Sequence, residues 1–302
     1  MKLAKFTYFV LFVFYSMSSF AEKSFFKDIS NLLPDQKPRL SYGVAVTDFD
    51  NDGSDEFIVT GFGYENLALG YDGNSLKNKI KENIFSDFNR STIGVAACDI
   101  DKDGHEEIYF LNTDTYSGQK MYSDRLLKLV DKNIEDLFEK DINQDELNLT
   151  AGRSVVCVDR EGKGNYGIYV ANYGGPTRFY EYIEDRVVDL AESLKLDEIT
   201  GGRAVVAGHI ISDQMDIFAA NERGPNFLYF NKEGKFLDVA GQMNVRDIYQ
   251  NGRGTALSDI LYRGRLDILN GNWGGYHRAY VYDEYKFKAV SYTHLRAHET
   301  QR

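Results

Sequence analysis

The chain has 302 residues, 43% of them hydrophobic, enough to fill a sizeable core and too apolar for a disordered chain. Its formal net charge of −11 argues against a nucleic-acid partner, because phosphate binding needs a basic face. Two cysteines and five histidines exclude a disulfide scaffold and a cysteine-built zinc site, while 27 Gly, 20 Phe, 21 Tyr and only 4 Pro suit many short strands joined by tight turns.

The first segment, residues 1–21, reads as a cleaved secretory signal. Lys2 and Lys5 precede an apolar run from Phe6 to Met17, and the small residues Ser19 and Ala21 follow. The run is shorter than the ~20 residues a membrane span needs, and no later segment reaches that length, so no span is expected after cleavage. A secreted or periplasmic protein is the expectation. At the other end, 290–302 carries none of the patterning upstream. Val290 to Thr300 looks like the in-frame translation of a sequencing-library adapter, and the tail is set aside as non-native.

Between these ends, over 22–289, one unit recurs every fifty residues or so. GVAVTDFDNDGSDEFIVTG from Gly43, GVAACDIDKDGHEEIYFLN from Gly94, GRSVVCVDREGKGNYGIYVAN from Gly152, GRAVVAGHIISDQMDIFAAN from Gly202 and GRGTALSDILYRGRLDILNGN from Gly252 each hold an apolar run, a polar loop and a second apolar run. A further marker, as in Asp136-Leu137 and Asp238-Val239, closes each unit. Asn226 to Leu237 reads as two more strands about a turn at Glu233-Gly234, giving four strands per unit. Four short strands at this period predict an all-β fold, a β-propeller of four-stranded blades. The five blades fall at about 41–90, 91–139, 150–195, 201–243 and 251–289. Residues 25–29 match a unit's last strand without a unit before them, so they are expected to be an orphan closing strand. The fifth unit stops at Lys286 to Ala289, where its terminal strand is just forming, so further blades are expected beyond the five.

The loops carry the chemistry. Asp48, Asp50, Asp52, Gly53, Ser54 and Glu56 in the first unit, and Asp99, Asp101, Asp103, Gly104, His105 and Glu107 in the second, share the spacing DxDxDGxxE. Alternate carboxylates on a tight loop converge on one point. The glycine permits the bend, the backbone carbonyl of Ser54 or His105 adds an oxygen, and the closing Glu can bind through both of its own. Such a set of hard oxygens suits Ca²⁺ rather than Mg²⁺, and two Ca²⁺ sites are expected. The alternative is a solvated acidic turn. An EF-hand is excluded by β-like flanks and a shorter loop.

The other three loops are degenerate. Asp159 and Glu161 survive in the third with Lys163 and Gly167 following, and Asp259 and Asp267 survive in the fifth around Arg263, so an internal cation is expected to stand in for the metal. His209 opens the shorter fourth loop and reads as structural. Arg153, Arg203 and Arg253 recur after glycines. They either line the axis and bind an anion or pair with acids between blades, and the pairing is the reading adopted. Trp273, with Tyr173 at the matching place, suits a sugar-stacking platform or packing, and packing is adopted. Cys98 and Cys157 alternate to opposite faces of equivalent strands and so read as small core residues rather than a disulfide. Asn89 and Asn148 head glycosylation sequons. No GxSxG, HExxH or phosphate-cradling loop is present.

The loops DFDNDGSDE and DIDKDGHEE together with NERGPNFLYFNKEGKFLDVA resemble the FG-GAP/VCBS repeat proteins, in particular their cartilage-acidic-protein-like branch. The resemblance covers roughly Phe25 to Ala289 and implies a propeller, commonly seven-bladed, that is secreted, binds calcium within its blades and serves in binding and adhesion. An extracellular or cell-envelope protein or glycan is then the expected partner. The reading from another class is a propeller enzyme acting on polysaccharide, a glycoside hydrolase or lyase.

Overall fold

A computed structural model describes residues 26–33 and 38–290. The predicted signal segment and all of the tail after Val290 lie outside the described residues.

The strands come in five consecutive groups of four. The first blade holds β1 (Val44–Thr47), β2 (Glu56–Val59), β3 (Leu67–Tyr71) and β4 (Leu76–Asn78). The second holds β5 (Thr92–Cys98), β6 (Glu107–Asn112), β7 (Arg125–Val130) and β8 (Asn133–Asp136). The third holds β9 (Gly152–Val158), β10 (Gly167–Pro176), β11 (Arg178–Ile183) and β12 (Arg186–Asp189), and the fourth β13 (Ile199–Gly208), β14 (Asp216–Asn221), β15 (Phe227–Lys232) and β16 (Lys235–Asp238). The fifth holds β17 (Gly252–Ser258), β18 (Asp267–Asn272), β19 (Arg278–Asp283) and β20 (Lys286–Ala289). Within each blade successive strands pair antiparallel, and β10 also bridges to β13 at Tyr173–Gly201 and Pro176–Ile199.

Period-two alternation explains the packing. Along β6 every residue is buried, yet Ile108 and Phe110 pack with Ile58 and Ala68 of blade one, while Tyr109 and Leu111 pack with Ile168, Val170 and Tyr180 of blade three. Both faces of a sheet are thus covered by neighbouring blades, as a propeller requires. Equivalent cores lie between blades three and four, around Tyr169 and Tyr229, and between blades four and five, around Phe218 and Tyr280. The first strands of the blades, β1, β5, β9, β13 and β17, stand side by side in that order. The far face of blade one, at Val44, Val46 and Phe57, is exposed.

Residues 26–29 form no strand, and Phe26 and Ile29 are exposed; the five blades each carry a fourth strand of their own, and the blade this segment was expected to close is not among them. The terminal strand expected at Lys286 to Ala289 is β20, paired with β19 in full register from Tyr280–Ala289 to Asp283–Lys286. One expectation needs correction. Cys98 and Cys157 form a disulfide, with 6.2 Å between their Cα atoms. Opposite faces of equivalent strands in adjacent blades point at each other, and both cysteines pack in the core between blades two and three.

Candidate metal centres in the first two blades

Each blade's first hairpin ends its inner strand in a loop, and the same turn recurs in four of the five. The carboxylate of the opening Asp accepts backbone N–H bonds from the fifth and sixth loop positions in three: Asp48 from Asp52 and Gly53 (both 3.0 Å), Asp159 from Lys163 (3.1 Å) and Gly164 (2.6 Å), and Asp259 from Arg263 (2.8 Å) and Gly264 (2.7 Å). Asp99 makes the equivalent turn, accepting from Lys102 (2.6 Å) and Gly104 (3.0 Å). The bend needs left-handed backbone at the sixth position, where φ is 87° at Gly53 and 89° at Gly104.

In the first loop Asp48, Asp50 and Glu56 bring carboxylate oxygens within 4.8 Å of one another, and Asp99, Asp101 and Glu107 do so in the second. Asp52 and Asp103 sit at the rim, each bonded to the backbone N–H two residues on, at Ser54 and His105 (both 2.9 Å). Glu56 and Glu107, at the start of β2 and β6, are buried, and each anchors one oxygen on a backbone N–H, Glu56 Oε2 on Phe49 at 3.2 Å and Glu107 Oε2 on Ile100 at 3.0 Å. Burial raises both carboxyls to about 7, with the charges of Asp50 and Asp101 adding to it.

The two loops differ in how the second oxygen of that glutamate is met. Glu56 Oε1 is buried with no hydrogen-bond partner among the described residues. Glu107 Oε1 accepts from Lys128 Nζ at 3.0 Å, and the same ammonium bonds Asp103 Oδ2 at 2.6 Å and Asp101 Oδ2. The ladder explains the difference. Phe57 pairs with Leu69 and Ile108 with Leu127, so Gly70 in blade one stands where Lys128 stands in blade two. Gly70 sends no side chain toward Glu56 Oε1; the Lys79 stem lies over it instead, its Cε and Cγ 2.7 and 2.8 Å from where a Cβ would stand, with Glu56 Oε1 at 3.2 Å. Lys79 reaches only the rim, 3.5 Å from Asp52. An orphaned buried carboxylate oxygen at the focus of two further carboxylates fits a hard divalent cation.

The degenerate loops are met differently. Arg263 pairs with Asp267 at 3.1 Å, the stand-in expected for loop five, whereas Lys163 turns outward to Glu161 at 2.8 Å. At the closing position of the third loop Gly167 admits no side chain, since a Cβ would lie 2.6 Å from the Phe179 ring. His209 is exposed.

At the start of the inner strands, the reading of pairing between blades holds for Arg253, which bonds Glu222 of blade four at 3.3 Å, while Arg203 bonds the same Glu222 within its own blade. Arg153 has no carboxylate partner among the described residues. Trp273 is not packed away; it is 62% exposed, while Tyr173 is buried.

Sequence comparison agrees with this architecture. The FG-GAP-like repeat family matches residues 26–110, which include both carboxylate loops. Cartilage acidic protein 1 of Xenopus tropicalis is 43% identical over 269 residues, 80% of this chain and 42% of that protein. Those of Homo sapiens and Mus musculus are each 42% identical over 294 residues, 86% of this chain and 44% and 45% of theirs. The chain therefore spans less than half the length of these relatives. Among the described residues no helix is long and apolar enough to cross a membrane. With the repeat, the blades and these relatives together, the chain is an FG-GAP-repeat, cartilage-acidic-protein-like protein.

Proposed function

We propose that the chain is a secreted, calcium-stabilised propeller segment that serves as an interaction module for extracellular proteins or glycans. The observation that carries the calcium reading is Glu56, whose buried Oε1 has no hydrogen-bond partner among the described residues and whose carboxylate brings an oxygen within 4.8 Å of those of Asp48 and Asp50. Asp48, Asp50, Asp52, Glu56 and the Ser54 carbonyl would hold one ion, and Asp99, Asp101, Asp103, Glu107 and the His105 carbonyl a second. In loop one a bound ion supplies positive charge at the focus of the carboxylates, and in loop two it takes the place of the Lys128 ammonium, in each case fixing the loop between the first two strands of the blade. Secretion is supported by the signal-like Met1 to Ala21 and by the Cys98–Cys157 disulfide, which persists in oxidising compartments. The relatives' name, cartilage acidic protein, points the same way.

Thermal melting of the chain with and without millimolar calcium tests the metal reading. A ligand that binds only the folded state raises the melting temperature. A rise that Glu56→Gln diminishes supports it, and no rise rejects it.

A further inference from the structure

The three arginines that follow glycines in β9, β13 and β17 converge with aromatic rings on one patch. Arg203 bonds Glu222 through Nε and the Tyr116 hydroxyl through Nη2 at 2.7 Å. Its guanidinium lies over the rings of Tyr173 and Tyr116, 4.7 and 5.3 Å from their centroids. Arg253 reaches the same Glu222 and lies over Trp273, 4.6 Å from the ring centroid. Arg153 donates to the Tyr116 carbonyl and lies over the Tyr116 ring at 5.3 Å, and its buried Nε has no hydrogen-bond partner among the described residues. Burial, then the neighbouring Arg203 charge, holds Arg153 below the usual guanidinium value.

The charge does not balance. Two of the three guanidinium groups, Arg203 and Arg253, share the single carboxylate of Glu222, which is 2% exposed, and Arg153 pairs with none among the described residues. The local excess of positive charge sits in a chain of net charge −11. Each arginine is six residues upstream of its blade's loop, so the patch lies roughly 20 Å along the inner strands from the carboxylate loops, too far for them to neutralise it. Beside it stand exposed flat rings: Tyr116 at 59%, Trp273 at 62% and Tyr276 at 51%. Guanidinium forks recognise carboxylate and sulfate bidentately, and an exposed indole or phenol offers an apolar face to a ring that carries polar edges.

We infer that Arg153, Arg203 and Arg253, with Tyr116 and Trp273, form a binding site for an anionic saccharide, a sugar chain bearing sulfate or carboxylate groups. Arg153 and Arg253 meet the anionic groups, Trp273 stacks on a sugar ring, and Arg203, tied to Glu222, fixes the distance between them.

The test uses the full chain and three probes at near-physiological salt: dextran sulfate oligomers, oligogalacturonate and neutral dextran, with inorganic sulfate as a fourth titrant. The inference predicts binding of at least one acidic oligosaccharide and none of neutral dextran. The sulfated and uronate arms tell which anionic group is preferred. Arg153→Gln with Arg253→Gln is expected to weaken that binding by about tenfold or more, as loss of charged bidentate contacts does. Trp273→Ala is expected to weaken the oligosaccharide several-fold while leaving inorganic sulfate unchanged. Lys235→Gln, an exposed lysine on β16, controls for general charge and is expected to change nothing. Unchanged melting temperatures establish that the variants are folded. The inference is overturned if neither acidic oligosaccharide binds, if the double arginine variant binds as well as the parent, or if Trp273→Ala has no effect on the oligosaccharide. None of these outcomes depends on calcium.

Discussion

Gly70 and Lys128 occupy the same register position in blades one and two, and what stands there decides how the buried glutamate of each loop is met. Gly70 leaves Glu56 Oε1 unpartnered, whereas Lys128 places an ammonium among Asp101, Asp103 and Glu107. Two loops of identical spacing are therefore two unlike sites. The other blades carry Glu181, Phe230 and Val281 at this position, by the pairings of Ile168 with Tyr180, Ile217 with Tyr229 and Ile268 with Tyr280.

Calcium is expected to fill loop one at lower concentration than loop two, where it must displace Lys128. Lys128→Ala removes the competing charge. Its expected effect is a lower melting temperature without calcium, from carboxylates left unpaired, and a tighter second binding step by about tenfold, read by isothermal titration. An unchanged second step would show that Lys128 does not compete.

The buried glutamates make the ion-free fold sensitive to pH. Glu56 and Glu107 ionise near 4.5 when unfolded and at about 7 when folded, so the unfolded state releases their protons first. A folded value above the unfolded one favours the fold only while the group is protonated. Without calcium, these groups' contribution to stability therefore falls as pH rises from about 4.5 to about 7. Calcium relieves this loss by stabilising the ionised form, so its effect on melting temperature is expected to be larger near pH 8 than near pH 5. Melting scans at both values, with and without the ion, check the sign.

The Cys98–Cys157 bridge ties blade two to blade three across 59 residues of chain. Constraining the unfolded chain over such a loop stabilises by roughly 2–4 kcal/mol. Cys98→Ala with Cys157→Ala is expected to lower the denaturation midpoint accordingly, and Ellman titration of the unreduced, unfolded parent should find no free thiol.

The two sequons differ in what their asparagines do. Asn89 is exposed, whereas Asn148 is fully buried, donating to Asp124 at 2.6 Å and exchanging two 3.0 Å bonds with Asn172. Asp124 is itself held by Tyr109 at 2.7 Å and by the buried Lys120. Expression in a eukaryotic secretory host should yield folded protein with glycan at Asn89 and none at Asn148, by peptide mapping. Asn148→Ala should cost about 2–4 kcal/mol, because it strips partners from a buried carboxylate and amide.

The blades and both carboxylate loops were legible in the sequence because their signals are local. The opening Asp of four of the loops holds the turn by accepting backbone N–H bonds, which is why Asp159 and Asp259 keep the same bend where Lys163 and Arg263 stand in place of the third acid. What escaped depends on partners from elsewhere in the chain. Lys128 comes from β7, and its place beside Glu107 follows from strand register, although pairing Ile108 with Leu127 would have put it there. The disulfide is not visible from alternation within one strand, because a propeller sets the opposite faces of successive blades against each other. Trp273 read as a packing residue by type, and its exposure depends on the turn after β18.

Loops one and two are expected to hold calcium and the other three not to. Equilibrium dialysis of the folded chain against calcium, with metal counted per chain, tests this most directly when Glu56→Gln and Glu107→Gln are measured beside the parent. The account predicts two ions per chain, with each variant losing one. No bound ion, a third tightly held ion, or a full complement in both variants would contradict it.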